Sequence, residues 1–195
     1  VMSDKKYEFV PGDEKTIAPG RTVKRIRLLV AIAAFGLPSG SLGGYIESKE
    51  CLSQSGNAWV SGDARVSGNA RVFGDAQVFG DARVFGNARV FGSAWVSGDA
   101  WVSGNARVSG NAQVFGNAWV SGDAWVSGNA RVFGDAWVFW ASKVGTKNGT
   151  LTAYNTKDNS IELARGCFTG SIDEFLSKSE KEHDDRTHLD RKSVV

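Results

Sequence analysis

Residues 56–139 read GNAWVS GDARVS GNARVF GDAQVF GDARVF GNARVF GSAWVS GDAWVS GNARVS GNAQVF GNAWVS GDAWVS GNARVF GDAWVF, fourteen six-residue units without one insertion or deletion. A strict short period means one supersecondary unit stacked on copies of itself. Within each unit Ala and Val lie two apart, so on an extended chain they point to one face and the residue between them to the other. The inward pair is small plus branched, as in Ala64/Val66 and Ala130/Val132, while the residue between is Arg, Trp or Gln. Gly and Asn or Asp precede most of these short strands and are the residues that most readily adopt positive φ. The chain therefore turns every six residues, and three turns return it above itself after eighteen. This predicts an all-β parallel coil with one strand per side of a triangle. The repeats make about 4.7 coils, or roughly 22 Å of rod at ~4.8 Å per layer.

The pattern resembles the hexapeptide-repeat superfamily, the left-handed parallel β-helix, in which an aliphatic residue recurs every sixth position with a small residue four places later. Here those are the Val series from Val60 and the Ala series from Ala64. Left-handedness is what the resemblance implies, against the usual right-handed crossover. The leading stretch Gly43-Gly44-Tyr45-Ile46-Glu47, then Leu52-Ser53-Gln54 and Gly56-Asn57-Ala58-Trp59-Val60, is similar to that of bacterial and phage hexapeptide proteins. Some of these are grouped with YdcK-like acyltransferases or with polymer-forming proteins. Cys51 stands where that stretch commonly has Asn.

Three regions follow: an N-terminal capping segment over 1–41, the coil over 42–145, and a C-terminal hairpin, helix and charged tail over 146–195. Leu42, Ile46 and Leu52 fall on inward positions, counting back in sixes from Val60 and Ala58. In the cap, Val23, Arg25 and Arg27 alternate with Ile26, Leu28 and Val30, as capping strands do. After Val144 the phase is lost. Leu151–Thr156 and Ile161–Arg165 read as a hairpin, and Ser171-Ile172-Asp173-Glu174 as a capping box starting a helix through about Lys181. This tail resembles a C-terminal module of phage and prophage hexapeptide proteins, which implies a phage or prophage gene product in host cytoplasm or virion.

Lys and Arg number 23 against 21 Asp and Glu, spread evenly along the chain, so no basic tail or acidic arm marks nucleic acid or membrane as partner. The apolar run Leu28–Phe35 is much too short to span a bilayer. Cys51 and Cys167 lie beyond opposite ends of the coil, too far apart to bridge, and two free thiols suit a reducing cytoplasm.

Acyltransferases and γ-carbonic anhydrases of the superfamily both need histidine, as a general base or as zinc ligands. Residues 56–144 contain none. The expectation is a non-enzymatic scaffold without cofactor, an acyltransferase being the alternative. His183, Asp185 and His188 have a spacing that could hold a divalent metal, although a charged tail explains them as well. Asp63, Asp81, Asp99 and Asp135, with Asn117, recur at one corner, where turn geometry accounts for them.

Sorted by eighteen, the outward residues form three ladders. The first is Trp59, Gln77, Trp95, Gln113 and Arg131. The second is Arg65, Arg83, Trp101, Trp119 and Trp137, and the third Arg71, Arg89, Arg107, Trp125 and Lys143. Stacked Trp beside stacked Arg is more aromatic surface than a monomer usually leaves in water. Covering the sheet with flat side chains is one reading. An interface with further copies, as a trimer rather than a dimer, or with a host protein is the other. A polysaccharide or single-stranded nucleic acid stacked on Trp101, Trp119 and Trp137 is a third.

Overall fold

The computed structural model describes residues 5–134, 138–144, 149–155, 160–166 and 168–182. Three strands lead in: β1 (Tyr7–Ala18), β2 (Arg21–Leu28) and β3 (Leu42–Ile46). Thirteen two-residue strands follow, from β4 (Trp59–Val60) to β16 (Arg131–Val132), each the outward residue and the Val of one repeat. Among the described residues each strand from β4 to β13 pairs in parallel with the one eighteen residues on, as Trp59 with Gln77, Arg83 with Trp101 and Arg71 with Arg89. The ladder bonds are regular: Arg83 N donates to Ala100 O at 2.9 Å and Phe85 N to Val102 O at 3.0 Å. The inward Ala and Val are buried at every rung of the described coil and form one continuous core. Each Val adds roughly 1.5–3 kcal/mol of burial, so the stack holds without any inward charge. The result is a β-solenoid of about five coils with three parallel sheets.

The corners repeat as strictly as the sides. Gly104 has φ 66°, and a Cβ there would lie 2.8 Å from Gly122 N, so successive coils approach backbone to backbone at this column. The next residue in each corner builds a second ladder outside the core. Asn69 Nδ2 donates to Asn87 Oδ1 (3.1 Å), Asn87 to Asn105 (3.0 Å) and Asn105 to Asp123 (2.9 Å).

At the N-terminal end β1 and β2 form an antiparallel hairpin. β2 pairs with β3, and β3 runs parallel to Arg65–Val66, so the second face becomes one seven-stranded sheet. Two expectations for this end need correction. Ile46 and Leu52 are buried, but they pair with Val66 and Val72, two residues beyond the coil interval, and Leu42 is 56% exposed. The surplus lies between Leu52 and Ala58, where Gln54 and Ser55 widen the corner, so counting back in sixes slips by two across it. In β2, Val23 is buried together with Ile26 and Leu28, while Val30 is exposed. A register shift between Arg25 and Arg27 changes which face the strand presents.

Lys6 ties this cap to the coil mouth. Its backbone N–H donates to Gln54 Oε1 at 2.9 Å, and its buried ammonium donates to the carbonyls of Ala58 (2.8 Å) and Gly56 (3.4 Å). Burial lowers its pKa from the ordinary 10.5 to about 8. Next to it, burial, helped by Cys51 and Glu50, raises the Tyr7 pKa; the Tyr7 hydroxyl donates to Leu52 O at 2.8 Å. The sign of the resulting pH dependence is fixed. Between pH 8 and the unfolded value of 10.5 the unfolded chain binds more protons at Lys6, so stability rises with pH. Above pH 10 Tyr7 acts in the opposite direction, because only the unfolded chain ionises readily. The urea midpoint should therefore climb from pH 8 towards 10, by at most about 1.4 kcal/mol per unit for one proton, and the climb should vanish in Lys6→Met. A flat wild-type profile would show Lys6 to be solvated.

The coil was expected to run to residue 145, but Val138–Val144 (β17) pairs antiparallel with β18 (Gly149–Asn155). Trp140 occupies the place of the turn glycine, so the strand runs on for seven residues and Lys143 lies off the third ladder. β18 pairs antiparallel with β19 (Ile161–Arg165), as the hairpin reading has it; β20 (Phe168–Ser171), a strand that reading does not include, completes the sheet, and α1 (Ile172–Glu182) follows. The capping box is formed: Ser171 N donates to Glu174 Oε2 at 2.8 Å and Glu174 N to Ser171 Oγ at 3.2 Å. The buried hydroxyl of Thr152 accepts the N–H of Trp125 at 2.9 Å, doing for the last rung of the third face what a further coil's carbonyl would do. Cys51 is a buried free thiol, and Cys167 lies outside the described residues. No helix among the described residues is long and apolar enough to cross a membrane.

Candidate interaction surface

The three outward ladders are in register in the structure, which brings their side chains together along the rod. On the second face Arg65 and Trp101 are half-buried, Arg83 is exposed and Trp119 is 46% exposed. The Arg83 guanidinium lies 4.9 Å from the Trp101 ring centroid, and Trp101 meets Trp119 edge-on at 5.7 Å. Trp137, the next member, lies outside the described residues. On the third face Arg71, Arg89 and Arg107 are exposed and Trp125 is half-buried, with Arg107 6.0 Å from its ring. The Trp125 indole N–H donates to Ser109 Oγ at 3.1 Å. On the first face Trp59 is buried beneath the N-terminal cap, with Tyr7 edge-on at 6.4 Å, while Trp95 is 43% exposed.

The sixth residue of each repeat, Ser or Phe, also lies on this surface, and reading the ladders alone missed it. Phe79 packs edge-on against Trp95 at 6.1 Å and Phe85 against Trp101 at 5.9 Å. Phe73 and Phe91 stack in parallel at 5.0 Å, as do Phe115 and Phe133 at 5.1 Å. A rule in the sequence accounts for it. Trp59, Trp95, Trp101, Trp119 and Trp125 are each followed two residues later by Ser, and every described coil Phe follows Arg or Gln. Each rung has room outside for one large ring: an indole lies across a small serine, or a phenyl lies beside a flexible chain. Ser103, two residues after Trp101, is buried, and so is Ser109, which follows Arg107 and accepts the Trp125 indole N–H. The consequence is aromatic cover on all three faces rather than on the second alone, interrupted at the ring-free rungs Arg65/Ser67 and Arg107/Ser109.

Charges are distributed less evenly than the rings. Lys15 Nζ bonds Asp63 at 2.7 Å, which holds the Asp63 carboxyl below the usual range, and Arg25 donates to the Tyr45 hydroxyl at 2.9 Å. Close by, at the turn of the hairpin, Arg21 forks onto Glu47, whose carboxylate also accepts the N–H of Gly68 at 2.6 Å. These pairs crowd the cap end of the second face. No cluster of metal-ligating side chains is present among the described residues, and His183, Asp185 and His188 lie outside them.

Among curated proteins no relative matches the chain. The family description that does match is the YdcK beta solenoid repeat, in overlapping copies over residues 64–80, 76–88, 82–98, 100–114, 112–128 and 124–138. Among the described residues those copies take in the rungs from Arg65–Val66 to Arg131–Val132. The repeat region is thus a YdcK-like β-solenoid.

Proposed function

We propose that the chain is a non-enzymatic scaffold that associates with further copies of itself through the aromatic rungs of its first and second faces. The observation that carries this is the pair of contiguous, partly exposed ring clusters Phe79/Trp95 and Phe85/Trp101/Trp119, with Trp95 and Trp119 the most exposed members. Aromatic rings are enriched and charges depleted at the centre of interfaces, and the first face has Arg131 as the one charged residue on its ladder. The third face is the least suited to burial between copies, because Arg71, Arg89 and Arg107 are exposed there and charges are depleted at the centre of interfaces. The N-terminal end is a poor docking site as well. The outer edge of β1 carries Pro11 and a positive-φ Gly12 with a register shift, devices that block edge-to-edge pairing and hence open filaments. A closed oligomer follows, and a trimer is the state we assign. A phage or prophage setting, in host cytoplasm or virion, would supply a host protein as the foreign partner if copies do not pair. With no histidine in the coil, acyl transfer lacks its usual base.

Sedimentation of the full chain should show one defined oligomer. Trp101→Ala with Trp119→Ala should weaken it about thirtyfold or more, since truncating a central aromatic cluster costs about 2 kcal/mol or more. A wild-type chain that stays monomeric at high micromolar concentration would remove self-association.

A further inference from the structure

The third face differs from the second in one systematic way. Arg65 and Arg83 each have an Asp two residues earlier, Asp63 and Asp81, whereas Arg71, Arg89 and Arg107 each have an Asn there. Those amides, Asn69, Asn87 and Asn105, are hydrogen-bonded into the corner ladder. Their second N–H and remaining lone pair are left for a ligand. The three arginines are exposed, in register on adjacent rungs about 4.8 Å apart, and make no ion pair among the described residues. Glu50 lies within electrostatic reach of Arg71 alone. Three stacked guanidinium groups repel one another, and an anion laid along them relieves that while each fork can take a carboxylate or sulfate oxygen pair. The other border of the strip is apolar: the parallel rings of Phe73 and Phe91, with Trp125 closing the far end.

From this juxtaposition we infer that the third face binds an acidic polysaccharide, one anionic sugar ring per coil. The spacing selects the class. Phosphates of one nucleic-acid strand recur about every 3.4 Å along a duplex axis, and neither that interval nor its double matches the rungs. Same-face side chains of an extended acidic peptide recur about every 6.6–6.8 Å, again out of step. A linear chain of pyranose rings advances by close to one rung per ring. It also has the mixed surface the strip asks for: charges for Arg71, Arg89 and Arg107, hydroxyls for the Asn amides, and C–H faces for Phe73, Phe91 and Trp125. The site is separate from the first- and second-face rungs of the self-association reading and does not depend on it.

Calorimetric titration of the full chain with a galacturonate oligomer tests this, with a sulfated oligosaccharide, the neutral methyl ester of the galacturonate and an oligonucleotide of matched charge in parallel. Both acidic sugars should bind saturably and more weakly as salt rises, and the ester should not bind. Arg89→Gln with Arg107→Gln should reduce affinity about tenfold or more, given the strength of charge-assisted bonds, while Arg65→Gln with Arg83→Gln should leave it within about twofold. Circular dichroism of both variants controls for folding. Absence of binding at low salt, equal loss in the two double variants, or an oligonucleotide binding as tightly as the sugars would each overturn the assignment. So would a changed sedimentation coefficient for Arg89→Gln with Arg107→Gln, because the face would then belong to the contact between copies. Normal sugar binding by a monomeric chain would support this site while removing self-association.

Discussion

Val102→Asp should abolish cooperative folding at neutral pH and recover part of it in acid. Val102 is fully buried and sits in register between Val84 and Val120, in the middle of a stack whose inward residues are all Ala and Val. A carboxylate placed there meets no donor, and an unpaired buried charge costs several kcal/mol, so the group takes up a proton instead. Its folded pKa then lies above the unfolded value near 3.9. The folded chain binds more protons, and stability falls as pH rises through and beyond that value. The loss at pH 7 is expected to exceed about 4 kcal/mol, a large share of the 5–15 kcal/mol that a domain has. Val102→Ala separates the lost volume from the charge: it should cost roughly 1.5–3 kcal/mol at either pH. Urea unfolding of both variants at pH 4 and pH 7, followed by far-UV circular dichroism, gives the comparison. A wild-type midpoint for Val102→Asp at pH 7 would place position 102 outside the core.

That expectation rests on a core that could be read directly from the sequence, because in a six-residue repeat one observation is made fourteen times. Inward Ala and Val, outward Arg, Trp and Gln, and the eighteen-residue pairing interval all follow from strand alternation and turn chemistry. The readings that failed did so where the repeat stops constraining the chain. Leu42 was placed inward by counting across a corner that holds Gln54 and Ser55 in excess, and a period carries no information about an insertion at its edge. Val23 falls out of phase with Ile26 and Leu28 in the sequence yet is buried with them, because strand alternation assumes an unbroken register, and the pairing of β2 with β3 is shifted between Arg25 and Arg27. Residues 138–144 kept enough apolar character to pass for coil, yet the missing glycine at Trp140 was the stronger signal. The candidate surface was legible in register and only half legible in content. Sorting one position by eighteen found the Trp and Arg ladders, but the phenylalanines became part of the surface only when the rings were seen to touch. The charge contrast between the second and third faces was present in Asp63/Asp81 against Asn69/Asn87/Asn105 all along. It acquired meaning once exposure and pairing had been established for the arginines beside them.

The corner glycines make two separable demands on the sequence, and a matched pair of substitutions distinguishes them. Gly104 and Gly134 both have φ 66°, so an added Cβ strains both backbones alike, by roughly 1–2 kcal/mol. Their surroundings differ. At Gly104 the new Cβ would stand 2.8 Å from Gly122 N, 3.0 Å from its O and 3.1 Å from its Cα, whereas at Gly134 nothing described lies within 4 Å. The obstacle at Gly104 is backbone, which cannot rotate aside as a side chain does, so the two coils must separate or the corner must tilt. Either response strains the ladder bonds beside it, including Asn105 N to Gly122 O at 2.8 Å and Arg107 N to Ala124 O at 2.9 Å. Gly104→Ala should therefore cost about 1–3 kcal/mol more than Gly134→Ala, the usual range for overpacking a tight site. At about 2–4 °C per kcal/mol for a chain of this size, the difference in melting temperature is readily measured. Equal losses would mean that the left-handed φ alone selects glycine at these corners. A larger loss at Gly104 would mean that the column is also what allows one coil to lie against the next, and that the interval between rungs is set at the corners as much as in the strands.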